Sequence, residues 1–171
     1  MKIIDPNNNA QVFGISVFLA GGCTKEGWRD TFFKYINGFI LNSLIIFDPY
    51  NENIQDNYHQ IKWEQDKIQQ CDILSVYFDK YTEQPISMLE LGRMLELAKD
   101  KSINIETPLG TSTIYVNYGK PLIVGIHPEA PKKNDILIQM ELLGHKAEVC
   151  TPEQHATNII SAYEQIKSRY K

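Results

Sequence analysis

The feature that most constrains the fold is an alternation of short apolar runs with longer segments whose apolar residues recur at helical spacing. The runs cover residues 12–20, 44–47, 73–78, 122–126 and 147–150. Each run has the length of a strand that is buried on both faces. Because helices separate the strands, the strands are expected to pair in parallel. The alternation predicts an α/β fold, a flavodoxin-like or Rossmann-like three-layer sandwich with a five-stranded parallel sheet.

One segment departs from this alternation, between the third helix and the fourth strand. Residues 103–106 and 113–116 are rich in β-formers and flank Pro108-Leu109-Gly110, which predicts a hairpin insertion over residues 101–119. Its apolar side chains predict that it joins a subunit contact or covers a neighbouring site. With 171 residues and 43% hydrophobic content, the chain suffices for one full core, so we expect a single domain over residues 1–171.

Charge and composition exclude several classes of partner. The formal net charge is -4 and there is no run of Lys or Arg, which argues against a nucleic-acid partner and favours a small soluble ligand. No stretch approaches the roughly 20 apolar residues of a membrane span, and the N-terminus does not resemble a signal peptide. Three widely spaced cysteines fit reduced thiols. We expect a cytoplasmic protein without membrane contact.

The sequence offers no pattern typical of a metal or cofactor site. The four histidines lack metal-ligand spacing, and the glycine turn after the first strand matches neither the dinucleotide fingerprint nor the phosphate-binding P-loop. We therefore expect neither metal nor cofactor. The turn itself, Gly21-Gly22-Cys23-Thr24, either exposes backbone N–H groups to an anion or simply requires glycine for a tight bend.

Ligands of such sheets bind beyond the carboxyl ends of the strands, where the strand order reverses. This rule places Gly21, Gly22, Thr24 and Asp48 at one edge with residues 79–90. Asp48 either opens an Asp-Pro turn or faces a ligand. Five aromatic residues could stack on a flat base, and we expect at most two of them in a pocket: Tyr50, Tyr58, Trp63, Tyr77 and Tyr81.

Glu90 is the anomalous residue of the third helix, predicted over residues 86–98. A carboxylate among apolar neighbours loses hydration and requires a partner or a function. Ser87 and Glu90 have the spacing of a capping box, which is one interpretation. The other is a nucleophile kept ionised by the positive end of the helix. Arg93 follows on the same helix face, where it either pairs with Glu90 or contacts a phosphate.

Five segments, in order, carry a resemblance that spans roughly residues 14–142. They are Val17-Phe18-Leu19-Ala20-Gly21-Gly22 followed by Trp28, Ile61-Lys62-Trp63-Glu64, Cys71-Asp72-Ile73-Leu74, Pro85-Ile86-Ser87-Met88-Leu89-Glu90-Leu91-Gly92 and Pro121-Leu122-Ile123-Val124-Gly125-Ile126-His127-Pro128. Together they resemble the nucleoside 2-deoxyribosyltransferase family, in particular its shorter deoxyribosyltransferase-like branch. The Glu-Leu-Gly element at Glu90 is the most specific part.

The resemblance implies an oligomeric enzyme whose site is completed across a subunit contact. It implies that Glu90 attacks the sugar C1′ of a nucleoside or nucleotide and that Asp72 lies near the leaving base. Two positions depart from the family pattern, since Phe18 stands at a tyrosine position and Gln84 near a second aspartate. These departures weaken base exchange and leave hydrolysis open. Ser87 is a loose match to a phosphate-contacting serine of nucleotide N-glycosidase relatives.

The sequence thus predicts an N-glycosidic bond enzyme, acting by transfer or hydrolysis on a deoxynucleoside or a nucleoside 5′-monophosphate. The monophosphate is slightly favoured by the expected donors at Gly21, Gly22, Thr24, Ser87 and Arg93. Two alternatives stay open. One is a non-catalytic nucleotide-binding module, and the other is cleavage of NAD or a nucleotide signal as in TIR-type domains.

Overall fold

The computed structural model describes residues 1–8, 13–22, 27–50, 56–81, 84–99, 101–107, 110–117 and 119–169. Its strands are β1 (Lys2–Ile4), β2 (Ile15–Gly21), β3 (Leu44–Phe47), β4 (Ile73–Phe78), β5 (Lys101–Thr107), β6 (Gly110–Asn117), β7 (Leu122–Ile126) and β8 (Glu148–Val149). Its helices are α1 (Trp28–Ile36), α2 (Asn57–Gln70), α3 (Pro85–Ala98), α4 (Lys133–Leu142) and α5 (Pro152–Ser168).

The main sheet is parallel and has the order β1-β3-β2-β4-β7-β8, which confirms the predicted α/β class. It has six strands rather than five, because Lys2–Ile4 adds an edge strand to β3. Three residues are too few to show an apolar period, so the sequence did not reveal this strand. The other predicted strands shift by no more than a few residues.

Helices cover both faces of the sheet, as continuous apolar strands require. On one face, α2, α3 and α4 bury a core that includes Trp63, Ile68, Leu91, Met94 and Met140. On the other face, α1 and α5 bury a second core around Trp28, Phe32, Ile36, Ile159 and Tyr163. The carboxyl ends of β2, β3, β4 and β7 therefore form one rim between two rigid layers.

The predicted insertion is present as an antiparallel pair, β5 and β6, separate from the main sheet. A polar stretch expected to be loop over residues 51–59 is partly helical, because Asp56 caps α2 through Tyr58 N and His59 N. Residues 51–55 lie outside the described residues. None of the described helices is long and apolar enough to cross a bilayer.

The core beneath α5 contains one polar pair, formed by His155 and Ser75. Both residues are fully buried, and His155 Nε2 lies 2.8 Å from Ser75 Oγ. The ring is surrounded by Trp28, Phe32 and Tyr77. Burial without a nearby carboxylate lowers the pKa of His155 to about 3, so the folded protein holds this imidazole neutral.

This burial predicts a pH dependence of stability. The unfolded chain protonates His155 near its ordinary pKa of about 6.5, whereas the folded chain does so only near 3. Below about pH 6.5 the unfolded state therefore binds the extra proton, and the free energy of unfolding falls by roughly 1.4 kcal/mol per pH unit until pH approaches 3. Urea denaturation of wild type and His155→Gln from about pH 7 to 4 measures this slope.

We expect the free energy of unfolding of His155→Gln to fall less steeply with falling pH than that of the wild type. The half-buried His145 gives the matched control His145→Gln, which should keep the slope of the wild type. Equal slopes in the wild type and His155→Gln would contradict the assignment.

Candidate active site

The strand order reverses between β2 and β4, at the centre of the sheet. From β2 the chain crosses to β3 on one side, and from β3 it crosses back to β4 on the other side. The two crossovers diverge at the carboxyl ends of β2 and β4, where open α/β sheets place their ligands. The residues at this point are Gly21 at the end of β2, Gly22 directly after it, and Asp79 after β4.

The backbone of the glycine turn lies very close to the side chains of Asp79 and Gln84. Gly21 has a φ of 141°, a conformation that side chains rarely adopt, and it bends the chain at the end of β2. A β-carbon on Gly22 would collide with the Asp79 carboxylate and lie 3.2 Å from Cδ of Gln84. Glycine is therefore required here by the close approach of the backbone to two polar side chains.

Arg29 holds the turn from the side of α1. Its side chain is buried, its Nε donates to Asp48 Oδ1 at 2.9 Å, and its terminal nitrogens donate to the carbonyls of Leu19 (3.1 Å), Gly21 (3.4 Å) and Gly22. Trp28 Nε1 donates to the same Gly22 carbonyl at 3.2 Å. Sequence reasoning missed Arg29, although an arginine directly after Trp28 at the start of an amphipathic helix was the available signal.

Glu90 lies in the second turn of α3 and is only 9% exposed. The pKa of its carboxyl is raised to about 7, mainly by burial and to a smaller extent by repulsion from Glu64, while the charge of Arg29 acts in the opposite direction. The expectation of a carboxylate kept ionised by the helix start is thus corrected, because the helix begins at Pro85 and the dipole effect fades after the first turn.

The capping-box interpretation is also wrong. Gln84, not Ser87, is the N-cap of α3, and no side chain caps this helix. Ser87 is buried one turn before Glu90, on the same side of α3. Glu90 is therefore a buried acid without a capping role, which leaves the functional interpretation in place.

Glu64 supplies a second carboxyl group from α2. It is partly buried, and burial is the main cause that raises the pKa of this carboxyl, while a hydrogen bond from Gln60 Nε2 at 2.8 Å and the charge of Arg29 oppose the rise. Sequence reasoning used Glu64 only as part of a matching segment. A glutamate on a largely polar helix looks solvated, and only the convergence of α2 with α3 shows otherwise.

Several buried polar groups at this edge lack a hydrogen-bond partner among the described residues: Gln60 Oε1, Trp63 Nε1, and both Oε1 and Nε2 of Gln84. Gln84 is 6% exposed and adopts a left-handed backbone conformation, φ 50° and ψ 55°. Such a conformation costs on the order of 1 to 3 kcal/mol for a residue other than glycine. A strained, buried carboxamide with two open hydrogen-bonding atoms is characteristic of a ligand site.

The structure brings together most, but not all, of the residues singled out in the sequence. Gly21, Gly22 and Asp48 meet around Arg29, and Ser87 shares a face of α3 with Glu90. Trp63 is 8% exposed and packs against Phe18 and Phe47. Thr24 lies outside the described residues.

Asp72 and Arg93 lie elsewhere. Asp72 is at the amino end of β4, where its carboxylate accepts from Ser16 N and Ser16 Oγ, each at 2.8 Å. That edge is opposite the one that carries Glu90. Arg93 is on the exposed face of α3 and donates to the Gln65 carbonyl at 3.4 Å. No group of His, Cys, Asp and Glu side chains among the described residues is arranged to hold a metal ion.

Comparison with protein families gives one match, to the family described as "Nucleoside 2-deoxyribosyltransferase like", over residues 14–108. This range includes β2, both crossovers and the whole of α3, and so it contains Arg29, Glu64 and Glu90. A search of curated proteins returned no match.

Because Asp72 lies at the opposite edge of the sheet from Glu64, substitutions of the two residues should have different effects on stability and activity. We expect Asp72→Ala to lower the free energy of unfolding by about 1 to 3 kcal/mol, because two hydrogen bonds to a carboxylate are lost, and to leave activity per folded molecule unchanged. Ser16→Ala, which removes one of those bonds, should show a smaller loss of the same kind.

Because Glu64 lies close enough to Glu90 to raise its pKa, we expect Glu64→Gln to lower activity strongly and stability only slightly. Urea denaturation and base release from a nucleoside measure the two effects. Abolished base release in a stably folded Asp72→Ala would restore the hypothesis drawn from the sequence.

Proposed function

Because the chain belongs to the nucleoside 2-deoxyribosyltransferase-like family, we propose that it is an enzyme that cleaves the N-glycosidic bond of a nucleoside with Glu90 as nucleophile. The observation that carries the proposal is the burial of the Glu90 carboxyl beside Glu64 and Arg29 at the switch point of the sheet. Perturbed carboxyl groups in such a position are characteristic of catalysis.

Two carboxyl groups with different duties suit this reaction. In retaining glycosidases one carboxylate attacks the sugar, a second carboxylic acid protonates the leaving group, and the transition state resembles an oxocarbenium ion. We assign the attack on C1′ to Glu90 and the proton for the leaving base to Glu64. The bond from C1′ to the base nitrogen breaks as the bond from C1′ to Glu90 forms. A second base or water then releases the sugar.

The shared proton follows from the electrostatics. Burial raises the pKa of both carboxyls, and the charge of Glu64 opposes the ionisation of Glu90. Near neutral pH the pair therefore retains one proton, and its two titration steps belong to the pair. Glu90, the more strongly shifted carboxyl, holds this proton in the free enzyme, and we propose that the reactive form carries the proton on Glu64 and the charge on Glu90.

We propose a nucleoside rather than its 5′-monophosphate as the substrate, in contrast to the slight preference drawn from the sequence. Arg93, the one cation among the donors expected for phosphate, lies on the exposed face of α3. Arg29, which was not among those donors, is spent on Asp48 and three carbonyls. The surrounding carboxyl groups would repel a dianion. The open atoms of Gln84 instead suit the neutral hydrogen-bonding groups of a base or sugar.

We also propose a homo-oligomer that forms through α3 and α4. A groove of about 380 Å³ lies between these helices, with Met88, Leu95 and Leu143 among its apolar residues and Lys132 and Asp135 beside them. Leu89 and Leu142 are 74% and 77% exposed on the same two helices. A second copy related by a two-fold axis would cover this face and could pair Lys132 with Asp135 in both directions.

Glu90→Gln tests the assignment of the nucleophile. We expect base release to fall by more than about 10³-fold in the variant, because the amide cannot form the glycosyl-enzyme. In the wild type we expect a bell-shaped dependence of the rate on pH, which rises as the pair of carboxyls loses its first proton and falls as it loses its second. Liquid chromatography of a nucleoside panel and the matching 5′-monophosphates measures both rate and preference.

The same variant should gain stability. A folded pKa near 7 lies above the unfolded value near 4.5, so ionisation of Glu90 destabilises the fold as pH rises from about 4.5 to 7. Glu90→Gln should therefore melt above the wild type at about pH 8 and near it at about pH 4. The exposed Glu96, paired with Lys99 at 3.1 Å, provides the control Glu96→Gln, which should change neither property.

Full activity in Glu90→Gln would end the proposal. Stabilisation by a nucleoside with no base release would identify a binding module instead.

Leu89→Glu tests the oligomer. We expect light scattering to show a smaller mass than for the wild type, because a carboxylate would be buried in the contact. Ile40, which is 87% exposed after α1, gives the control Ile40→Glu with unchanged mass. An equal mass for wild type and Leu89→Glu would place the contact elsewhere.

A further inference from the structure

Arg29 is committed to the protein rather than open to a ligand. Its side chain is 6% exposed, and all three of its nitrogens donate to Asp48 or to the carbonyls of Leu19, Gly21 and Gly22. Its guanidinium also lies 4.7 Å from the centroid of the Trp28 ring. A planar fork of five N–H donors can bind several acceptors at once, whereas an ammonium group cannot match this geometry.

The carbonyls that Arg29 binds belong to the wall of the site. Gly22 lies against Asp79 and Gln84 so closely that no side chain fits between them. The position of the Gly22 backbone therefore fixes the space between the end of β2 and the start of α3. Because Arg29 and Trp28 both donate to the Gly22 carbonyl, they determine that position from outside the pocket.

Arg29 also supplies the positive charge that acts on the two glutamates. Its charge lowers the pKa of both Glu64 and Glu90, against burial and, for Glu90, against repulsion from Glu64. Among the described residues, the charged groups that act on Glu90 are Glu64 from α2 and Arg29 from α1. Arg29 is paired with Asp48 after β3, and Asp79 follows β4 at the same edge of the sheet. On α3 itself, Arg93 extends along the surface to Gln65.

We propose that Arg29 is a positioning residue with two separable actions: its fork fixes the Gly21–Gly22 turn against Asp79 and Gln84, and its charge stabilises the Glu90 carboxylate. The inference rests on the proposed function for its catalytic consequence. Its structural and electrostatic parts can be measured without turnover.

Two substitutions separate the two actions. Arg29→Lys keeps the charge and loses the fork, and Arg29→Gln loses the charge. In protein labelled with ¹³C at the glutamate carboxyl carbon, the Glu90 signal is identified by its loss in Glu90→Gln and titrated by NMR. Base release is measured on the same samples, and Arg93→Gln serves as the control for an exposed arginine on α3.

We expect the titration midpoint of Glu90 to rise by about one pH unit or more in Arg29→Gln and to stay within about half a unit in Arg29→Lys. We expect kcat/KM to fall at least about tenfold in Arg29→Lys, because the turn is no longer held, and further in Arg29→Gln. A midpoint that does not move in Arg29→Gln overturns the electrostatic action. Full kcat/KM in Arg29→Lys overturns the positioning action.

If Arg29→Gln does not fold, Asp48→Asn decides the electrostatic part. That variant leaves Arg29 in place without its counter-charge, so the Glu90 midpoint should fall, and an unchanged or raised midpoint overturns the proposal. If the wild type releases no base while the midpoints move as expected, the proposed reaction fails and the electrostatic action of Arg29 stands.

Discussion

The buried guanidinium of Arg29 is the interaction on which the carboxyl edge of the sheet depends. It joins the end of β2, the end of β3 and the start of α1 through one planar group. Without it, the carbonyls of Leu19, Gly21 and Gly22 would lose buried hydrogen bonds, and an unsatisfied buried polar group costs about 1 to 3 kcal/mol. The geometry of the site is thus maintained by a residue that lies behind its wall.

The unfavourable features of the described chain are concentrated in front of that wall. Gln84 has a left-handed backbone and an unpartnered carboxamide, Glu90 is a buried acid, and Glu64 repels it. By contrast, α5 follows ordinary preferences, since Thr151 and Gln154 form a capping box and Pro152 occupies the first turn. Folds tolerate such conflicts mainly where function requires them.

The sequence predicted the features that depend on residues close together in the chain, and it missed those that depend on residues far apart. Apolar runs identify strands from a few consecutive residues, so the α/β class and the hairpin were predictable. The cap of α5 is likewise determined by a few neighbouring residues, Thr151 to Gln154. Glu90 was conspicuous because its own neighbours in the chain are apolar. The three-residue strand β1 carried too little pattern, and its existence depends on pairing with β3.

The electrostatics of the site could not be predicted in this way. Arg29, Glu64 and Glu90 lie on three different helices, α1, α2 and α3. They come close together only because the strand order reverses between β2 and β4. The helix start near Glu90 indicated an ionised carboxylate, whereas desolvation by burial proved the larger effect. Asp72 shows the converse case, since its place in a matching segment pointed to catalysis while the strand direction puts it at the opposite edge, bound to Ser16.

Charge balance connects the fold to the choice of substrate. Asp48, Glu64 and Glu90 together could carry three negative charges, and Arg29 offsets one of them. Burial makes the remaining excess costly, and the least expensive remedy is a proton held between Glu64 and Glu90. In the proposed reaction, that proton goes to the leaving base, and the charge left on the other carboxyl stabilises the oxocarbenium-like sugar. A substrate that brought two further negative charges would oppose this balance, whereas a neutral nucleoside leaves it intact.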